Sequence, residues 1–289
     1  MGIDLHTHST ASDGTDTPAE LVRKAKAAGL SAVGLTDHDT DLGLAEAVAE
    51  GRAQGLAVIP GVELSADSPP GCGPMHLVGL WVPENPVNLK LTLDWLAGAR
   101  NARNREVAQR LADLGTGLTY EEVEAQAGGM VGRPHFAQVL LKHKVVTSLE
   151  DAFRRFLGRW GKAYVPKAKL TPRQAIEALL ADGAMPVLAH PCVLGLSPAE
   201  LEPLAAELKG YGLAAIEVYY SEHSPRQMDQ YAALAGRLGL LPSGGSDYHG
   251  RIKPGIQLGR GRGSLYVPDE VLDRMREQRS KKNLWLDAS

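Results

Sequence analysis

Nine side chains of the types that bind metal ions stand at or beside the ends of predicted strands in this chain. They are His6, His8, Asp13, His38, Glu63, His76, His190, Asp247 and His249. The pair His6 and His8 has a spacing of two residues, which in an extended chain puts both side chains on one side. Asp247 and His249 have the same spacing. Imidazole and carboxylate ligands without thiolate suit Mn²⁺, Fe²⁺ or Zn²⁺ better than a structural zinc site. Nine ligands are too many for one ion with open positions, so the pattern predicts two or three ions, bridged by Glu63.

Taken singly, each of these motifs has a common structural explanation. Asp and His often cap helices or pair on the surface, and Ala189-His190-Pro191 alone suggests a turn. Six such motifs, each at the end of a different predicted strand, are hard to explain independently. We therefore interpret them together as a metal centre.

Short apolar strands that alternate with helices position these side chains. The predicted strands are Gly2–Asp4, Ala32–Thr36, Ala57–Leu64, Met75–Val82, Pro186–Ala189, Ala214–Tyr219 and Leu240–Pro242. This alternation indicates an α/β fold with a parallel sheet or barrel and helices outside. In such barrels the loops after the strands gather at one face, where active sites lie. The nine side chains are therefore expected to meet at that face.

The alternation of strands and helices is interrupted in the middle of the chain. From about Leu89 to Arg159 the sequence contains no convincing buried strand. The helices predicted here are Leu89–Leu114, Thr119–Ala127, Arg133–His143 and Ser148–Phe156. We therefore predict a barrel formed by residues 1–97 and 165–289, and an all-helical insertion of residues 98–164 that serves as a substrate cap.

The composition limits the partners and the compartment. The 31 Lys and Arg against 34 Asp and Glu give a formal charge of −3, so there is no overall basic surface to hold long nucleic acids. Two cysteines, Cys72 and Cys192, cannot build a disulfide framework, and no stretch reaches 18 apolar residues. The first residues lack the charged and apolar segments of a signal peptide. The sequence predicts a cytoplasmic protein without a membrane span or an obligate protein partner.

The motifs resemble, in order, those of the polymerase-and-histidinol-phosphatase (PHP) family. The matching segments are Asp4-Leu5-His6-Thr7-His8, Thr36-Asp37-His38, Gly61-Val62-Glu63-Leu64, Ala189-His190-Pro191 and Gly245-Ser246-Asp247-Tyr248-His249. The resemblance spans residues 1–82 and about 165–260, and it implies a distorted seven-stranded β/α barrel related to the amidohydrolases. The longer first motif, through Thr15, resembles the branch with 3′,5′-nucleotide bisphosphate phosphatases and 5′→3′ exoribonucleases. Gly79-Leu80 and the helical insertion point to the same branch.

The resemblance also implies a ligand set for three ions, for which manganese is expected and zinc or iron are the alternatives. His6, His8, Glu63 and Asp247 would hold the first ion, Asp13, His38 and His249 the second, and Glu63, His76 and His190 the third. Asp4 and Asp37 would orient imidazoles from behind, or else cap the backbone at strand ends.

Clustered divalent ions suit the hydrolysis of phosphate esters. They neutralise the phosphoryl oxygens, lower the pKa of a bound water and stabilise the leaving oxygen. The expected path is in-line attack on phosphorus by a hydroxide that bridges the ions, without a side-chain nucleophile. Asp13, His38, His190 and His249 are the candidates for moving the proton, and the sequence does not separate this role from that of a ligand.

A substrate with a second phosphate needs a cationic clamp outside the metal centre. Within the insertion the candidates are Arg103, Asn104, Arg133 and His135, and after the sixth predicted strand they are Tyr219, His223 and Arg226. Arg is suited to bidentate phosphate contacts. Arg103 and Arg105 are two helix positions apart, so only one of them should face the site. The alternative is that these arginines are simply solvated.

The leading hypothesis is a metal-dependent phosphatase that removes the 3′-phosphate of 3′,5′-bisphosphonucleotides, for example from 3′-phosphoadenosine 5′-phosphate to give AMP and phosphate. A 5′→3′ exoribonuclease acting on short RNA is the closest alternative, because the same kind of phosphoester is broken. Histidinol phosphate phosphatase is a further alternative. From another class, a PHP module can be a non-catalytic structural or metal-binding partner, but no ligand has been lost here.

Overall fold

The computed structural model describes residues 2–127 and 130–286. The chain divides into two compact units. The barrel unit consists of Met1–Leu93 and Lys169–Ser289, and the inserted unit consists of Asp94–Ala168. The insertion predicted over residues 98–164 lies within the second of these ranges.

The barrel unit is built on one curved sheet. Its strands are β1 (Gly2–Thr7), β2 (Ala32–Leu35), β3 (Ala57–Ala66), β4 (Met75–Leu80), β5 (Met185–Leu188), β6 (Ala215–Tyr220), β7 (Leu241–Gly245) and β8 (Val267–Pro268). The order across the sheet is β7-β6-β5-β4-β3-β2-β1-β8. The predicted mixed α/β class with a seven-stranded barrel is confirmed, and the short β8 adds an antiparallel edge beside β1.

The ends of β1 and β7 bring the two sides of the sheet together. The Asp247 amide donates to the His6 carbonyl and the His8 amide donates to the Tyr248 carbonyl, both at 2.9 Å. A Cβ on Gly245 would lie 2.4 Å from the His6 Cβ, so only glycine permits this close approach. The barrel is thereby nearly closed, and the first and last predicted motifs become neighbours.

Strand β4 runs antiparallel to both of its neighbours, unlike the parallel strands around it. The physical reason is its connection, because the short loop of residues 67–74 carries no crossover helix and allows only a hairpin-like return. The first residues of β4 therefore lie where β3 ends, with His76 opposite Ser65. This orientation explains how a histidine at the start of a strand joins ligands from the ends of the others.

The described helices follow the strands closely. They are α1 (Pro18–Ala27), α2 (Leu44–Gln54), α3 (Asn88–Asp113), α4 (Tyr120–Ala127), α5 (Arg133–Lys142), α6 (Leu149–Ala152), α7 (Pro172–Ala181), α8 (Pro198–Tyr211), α9 (Pro225–Leu238) and α10 (Asp269–Lys281). Four of them, α1, α7, α8 and α9, begin with a Ser or Thr cap followed by Pro, and in three of these the hydroxyls of Thr17, Thr171 and Ser224 accept hydrogen bonds from the third residue of the helix. Such caps fix where each helix begins after its loop.

The inserted unit has its own apolar core. Leu111, Val123, Phe136, Leu140 and Leu157 are fully or almost fully buried there. Among its described residues no strand occurs, and α6 continues into a π-helical turn at Phe153–Leu157. Within residues 2–127 and 130–286, no helix combines the length and the apolar character needed to cross a membrane.

Candidate metal centre

All nine of the predicted ligands meet at the end of the barrel where the parallel strands finish. Their donor atoms form four overlapping groups, each within 4.8 Å. The groups are His8, Asp13, His38 and His249; His6, Glu63 and His190; His6, His8 and Asp247; and His38, Glu63 and His76. Strand β1 runs further than the sequence predicts, so that His6 lies inside it, and Glu63 lies inside β3, as in the predicted strand. These two buried side chains lie beside each other, with His6 Nε2 3.4 Å from Glu63 Oε1.

Glu63 is the centre of the cluster and is completely buried. Its Oε2 lies 2.9 Å from His38 Nδ1, and its Oε1 lies 3.0 Å from His76 Nδ1 and 3.1 Å from His190 Nε2. His8 Nε2 lies 3.3 Å from the same carboxylate. Because imidazoles approach both oxygens from several directions, Glu63 has the geometry of a bridging carboxylate.

Asp247 supplies a second carboxylate, directly after β7. Its backbone has a left-handed φ of 56°, and this conformation follows two glycines of the strand. Its Oδ1 lies 3.4 Å from both His8 Nε2 and His249 Nδ1. The unusual backbone therefore turns one oxygen of Asp247 into the cluster.

Asp13 supplies the third carboxylate, from the loop that follows β1. Its side chain is 51% exposed, and Oδ1 lies 3.3 Å from His249 Nε2. The loop turns sharply at Gly14, where a Cβ would lie 2.5 Å from the His8 carbonyl oxygen. Asp13 is thus the cluster carboxylate that is most open to solvent.

The cluster fits divalent cations in its donor atoms. The buried atoms Nε2 of His6, both ring nitrogens of His8, Nδ1 of His38 and Oε2 of Glu63 have no hydrogen-bond partner in the described part of the chain. Buried polar atoms are normally satisfied. A cation would use these lone pairs, and an imidazole–carboxylate set is the one that Mn²⁺, Fe²⁺ and Zn²⁺ accept.

Protonation differs strongly among the imidazoles. Burial lowers the pKa of His76 to about 4, against the opposing effect of the nearby Glu63 carboxylate, so His76 presents a neutral ring at neutral pH. Burial also acts on His8, but the nearby carboxylates of Asp247 and Glu63 prevail and raise the pKa to about 9. A proton on His8 thus takes part of the role that a cation would have.

Asp4 and Asp37 hold loops and not imidazoles. Asp37 accepts hydrogen bonds from the Ser9 amide at 2.8 Å and from the Ser9 hydroxyl at 2.6 Å. Asp4 accepts from the amide and hydroxyl of Ser246 at 2.8 and 2.6 Å, and from the Gly259 amide at 2.8 Å. The interpretation as backbone caps therefore describes both carboxylates, because their contacts fix the loops that carry Asp13 and Asp247.

Glu217 is a functional carboxylate that the sequence reasoning missed. It lies in β6, is 1% exposed, and accepts from His6 Nδ1 at 2.8 Å and from the His190 amide at 2.5 Å. One signal was available, because a lone Glu within an apolar strand is rarely buried unless it is paired. Its contacts orient the imidazole of His6, the role expected of Asp4 and Asp37, and hold the backbone of His190.

We expect Glu217→Gln to lower the metal affinity or the hydrolytic rate by about 10- to 100-fold, because carboxylates behind metal-bound imidazoles set ring orientation and basicity. Metal titration and initial rates on one substrate would measure this effect. Glu177→Gln, on an exposed helix position, is the matched control. Equal values for both variants would remove Glu217 from this role.

A cavity of about 290 Å³ opens over the cluster. His38, Glu63, His76 and His190 line it, together with residues that the sequence did not single out. Among these, Tyr220 donates from its hydroxyl to Asp247 Oδ2 at 3.1 Å, and Lys253 Nζ lies 2.6 Å from the same oxygen. The second oxygen of Asp247 is thus held from the side of the cavity.

The three candidates that follow the sixth strand differ in placement. A β-bulge between Glu217 and Tyr219 shifts the alternation, so that Tyr220 faces the cavity and Tyr219 packs against the apolar core. His223 is buried, with Nδ1 2.8 Å from the Val218 carbonyl oxygen. Arg226 is exposed in the first turn of α9.

The four candidates in the inserted unit lie on α3 and α5. Arg103 donates to the Asn104 side chain at 2.8 Å, and the buried Asn104 donates to the Val131 carbonyl at 2.9 Å. Arg133 donates to the Leu157 carbonyl at 3.3 Å, and His135 Nδ1 accepts from the Gly132 amide at 3.0 Å. These contacts link the middle of α3 to the residues before α5 and hold the first turn of α5.

Arg103 and Arg105, two positions apart in α3, differ in the charges that surround them. Burial, together with the charges of Arg133 and Arg100, lowers the pKa of Arg103 to about 10. The Arg105 guanidinium instead lies 4.7 Å from the centre of the Tyr120 ring. Arg103 and Arg105 therefore have different surroundings, as their spacing predicts.

A nearly closed β/α barrel with clustered carboxylates and imidazoles at the strand ends defines a hydrolase of the amidohydrolase-like class. The model of the PHP domain family matches residues 4–170, more than half of the chain, and the chain belongs to this family. The predicted membership is confirmed.

Relatives and a solved structure agree on the chemistry. The chain is 38% identical to the 5′-3′ exoribonuclease Rnm of Escherichia coli (strain K12) over 93% of this chain and 90% of that protein. It is 32% identical to the 3′,5′-nucleoside bisphosphate phosphatase of Chromobacterium violaceum over 89% of this chain and 90% of that one. The solved structure of a Bifidobacterium adolescentis protein assigned as a metal-dependent phosphoesterase is 29% identical, covers 95% of both chains and has a TM-score of 0.80. The chain is thus a PHP metal-dependent phosphoesterase, and the named relatives differ in substrate.

Proposed function

We propose that this protein removes the 3′-phosphate of 3′,5′-bisphosphonucleotides, as in the conversion of 3′-phosphoadenosine 5′-phosphate to AMP and phosphate. The observation that carries this choice is the group of guanidinium side chains in the inserted unit. Burial and the positive charge of Arg133 lower the pKa of Arg103. Arg103 donates to the amide oxygen of Asn104, and Arg133 donates to the backbone carbonyl of Leu157. A phosphate, as a bidentate dianionic acceptor, would stabilise such a group.

The residues that would hold the cations are the nine of the cluster. We propose the sets expected from the family, with His6, His8, Glu63 and Asp247 for one ion, Asp13, His38 and His249 for a second, and Glu63, His76 and His190 for a third. The distances around Glu63 support its place in two sets. The first two sets lie next to each other, because His8 of the first set has its Nδ1 3.9 Å from Asp13 of the second. Manganese stays the expected metal.

Bound divalent cations would neutralise the phosphoryl oxygens, activate a water and stabilise the leaving oxygen. The protein itself supplies orientation and proton transfer. Glu217 orients the His6 imidazole and holds the backbone of His190, and Tyr220 and Lys253 hold Asp247. Asp13, His38, His190 and His249 are the candidates for moving a proton, and Asp13 has the greatest access to solvent among them.

Replacement of Arg133 tests the phosphate clamp. We expect Arg133→Ala to raise KM about tenfold or more for 5′-phosphorylated substrates and to change hydrolysis of nucleoside 3′-monophosphates much less, because a charge-assisted hydrogen bond contributes about 1.5–3 kcal/mol. Arg154→Ala, at an exposed position paired with Asp151, is the matched control. Equal losses on both substrate types would exclude Arg133 from the clamp.

Comparison of three substrates tests the proposed function itself. Manganese-loaded protein should release phosphate from 3′-phosphoadenosine 5′-phosphate far faster than from histidinol phosphate, and comparable rates would overturn the assignment to nucleotides. A 5′-phosphorylated pentaribonucleotide tests the alternative of an exoribonuclease, which the name of the Escherichia coli relative favours. Absence of turnover on all three would favour a non-catalytic module. The cytoplasmic location and the lack of an obligate protein partner stay predictions.

A further inference from the structure

The two units of the chain carry charges of opposite sign. The inserted unit, Asp94–Ala168, contains twelve Lys and Arg residues and eight Asp and Glu residues, a formal charge of +4. The whole chain has a charge of −3, so the barrel unit carries −7. Carboxylates of the metal cluster account for part of that negative charge. The positive charge of the inserted unit is available for a polyanion.

One exposed indole stands out within this basic unit. Trp160 is 89% exposed, more than any other large apolar side chain in the described residues, whereas Trp81 is completely buried. A single exposed apolar residue is common on protein surfaces. Full exposure of an indole to water is unfavourable, however, because its apolar area is large. A role for Trp160 therefore depends on the residues around it.

The backbone holds Trp160 at the corner of a tight turn, residues 158–162, which we call the Trp160 turn. The Gly161 amide donates to the Gly158 carbonyl at 2.8 Å, and the Lys162 amide donates to the Arg155 carbonyl at 3.1 Å. A Cβ on Gly161 would lie 2.3 Å from the Phe156 backbone, so glycine permits the turn to lie against the π-helical turn before it. The indole is thus presented by a fixed backbone, which lowers the entropy lost on binding.

Two cations flank the indole. Arg159 and Lys162 are exposed, and no ion pair with a carboxylate is recorded for either of them in the part of the chain that the structure describes. The Arg159 guanidinium lies 5.4 Å from the centre of the Trp160 ring. Arg154 and Arg155, by contrast, are paired with Asp151. The Trp160 turn combines a stacking surface with two cations that are free to meet phosphates.

We propose that the Trp160 turn is a binding site for single-stranded nucleic acid, in which a nucleobase stacks on Trp160 while Arg159 and Lys162 contact the flanking phosphates. Exposed aromatic side chains interleaved with cations are the way in which proteins bind single strands without reading their sequence. The inference rests on the proposed function for the choice of a nucleic acid, because 3′,5′-bisphosphonucleotides carry the same bases and phosphates as a single strand.

A binding measurement without turnover tests this site. The full-length protein in EDTA, which removes catalytic metal, is titrated into a 3′-fluorescein-labelled, 5′-phosphorylated heptaadenylate RNA, and anisotropy gives Kd. Trp160→Ala should weaken binding by about 5- to 150-fold, the usual range for loss of one base–aromatic stack. Trp160→Phe should retain most of the affinity. Trp95→Ala, at a half-exposed indole in the same unit, is the matched control and should bind like the wild type.

The salt dependence tests the two cations. Arg159→Ala and Lys162→Ala should each reduce the slope of log K against log salt by about 0.7, because each loses one phosphate contact with a single strand. Wild-type protein that does not bind the RNA, or Trp160→Ala that binds it within twofold of the Trp95→Ala control, would overturn the proposal. The proposal would also be overturned if Trp160→Ala weakened binding to vesicles of phosphatidylcholine and phosphatidylserine but not binding to the RNA. That result would assign the turn to a membrane surface.

Failure of the site and failure of the proposed function give different results. Release of phosphate from 3′-phosphoadenosine 5′-phosphate by the wild-type protein reports only on the proposed function. The part of heptaadenylate binding in EDTA that is lost in Trp160→Ala reports only on the Trp160 turn. RNA binding that depends on Trp160 without phosphate release would sustain the site and contradict the function, and the reverse pattern would do the opposite.

Discussion

Glu63→Gln is expected to lower kcat/KM for 3′-phosphoadenosine 5′-phosphate by about a thousandfold or more. Glu63 lies within 3.4 Å of five imidazoles and is buried, so loss of its charge removes a carboxylate contact from all five. Glutamine has nearly the same volume but no charge. One of the two carboxylate oxygens that could bind a cation is replaced by an amide NH₂, which cannot. Loss of transition-state stabilisation by several kcal/mol corresponds to a factor of this size.

Two measurements distinguish this explanation from simple misfolding. Metal content of the purified variant should fall by at least one ion per chain, while circular dichroism should remain that of the wild type. Glu177→Gln, an exposed carboxylate on α7, is the control and should keep both its metal and its rate. Full metal content and a rate within tenfold of wild type would show that Glu63 does not bridge cations.

Removal of metal is expected to have the second-largest effect. Chelation should abolish hydrolysis and lower the Tm by roughly 5–10 °C relative to protein in Mn²⁺ at a hundred times its Kd. Binding at that concentration adds about 2.7 kcal/mol to the free energy of unfolding, and about 1 kcal/mol corresponds to 2–4 °C in a domain of this size. The unsatisfied nitrogens of His6 and His8 are the physical reason, because in the native state only a cation or a proton can use them.

Calorimetry with and without Mn²⁺ measures this shift directly. Glu63→Gln should show a much smaller metal-dependent shift than the wild type, whereas Glu177→Gln should show the full shift. An unchanged Tm in the wild type, with hydrolysis that persists after chelation, would contradict a metal centre at these residues.

The cluster could be predicted from the sequence because its members combine residue type with position. Metal-binding side chains at successive strand ends lie close together in any β/α barrel. The convergence of His6, His38 and His190 could therefore be predicted without knowing the loop structures. His76 fits the same pattern only because β4 runs antiparallel, which the short loop before it dictates.

Positions that depend on backbone irregularities could not be predicted in the same way. The β-bulge in β6 sends Tyr220 toward the cavity in place of Tyr219, and strand alternation alone gives the opposite expectation. Lys253 follows Asp247 in an irregular loop and carries no signal in the sequence. Glu217 had a signal, a carboxylate within an apolar strand, but its partners are far away in the chain.

The most direct test of the proposed function is the identity of the products from 3′-phosphoadenosine 5′-phosphate. Phosphorus NMR of the reaction with manganese-loaded protein resolves the 3′- and 5′-phosphate signals and free phosphate. We expect loss of the 3′ signal, a matching gain of free phosphate and a retained 5′ signal, which together identify AMP. Loss of the 5′ signal, or no change in either signal, would contradict the proposed function.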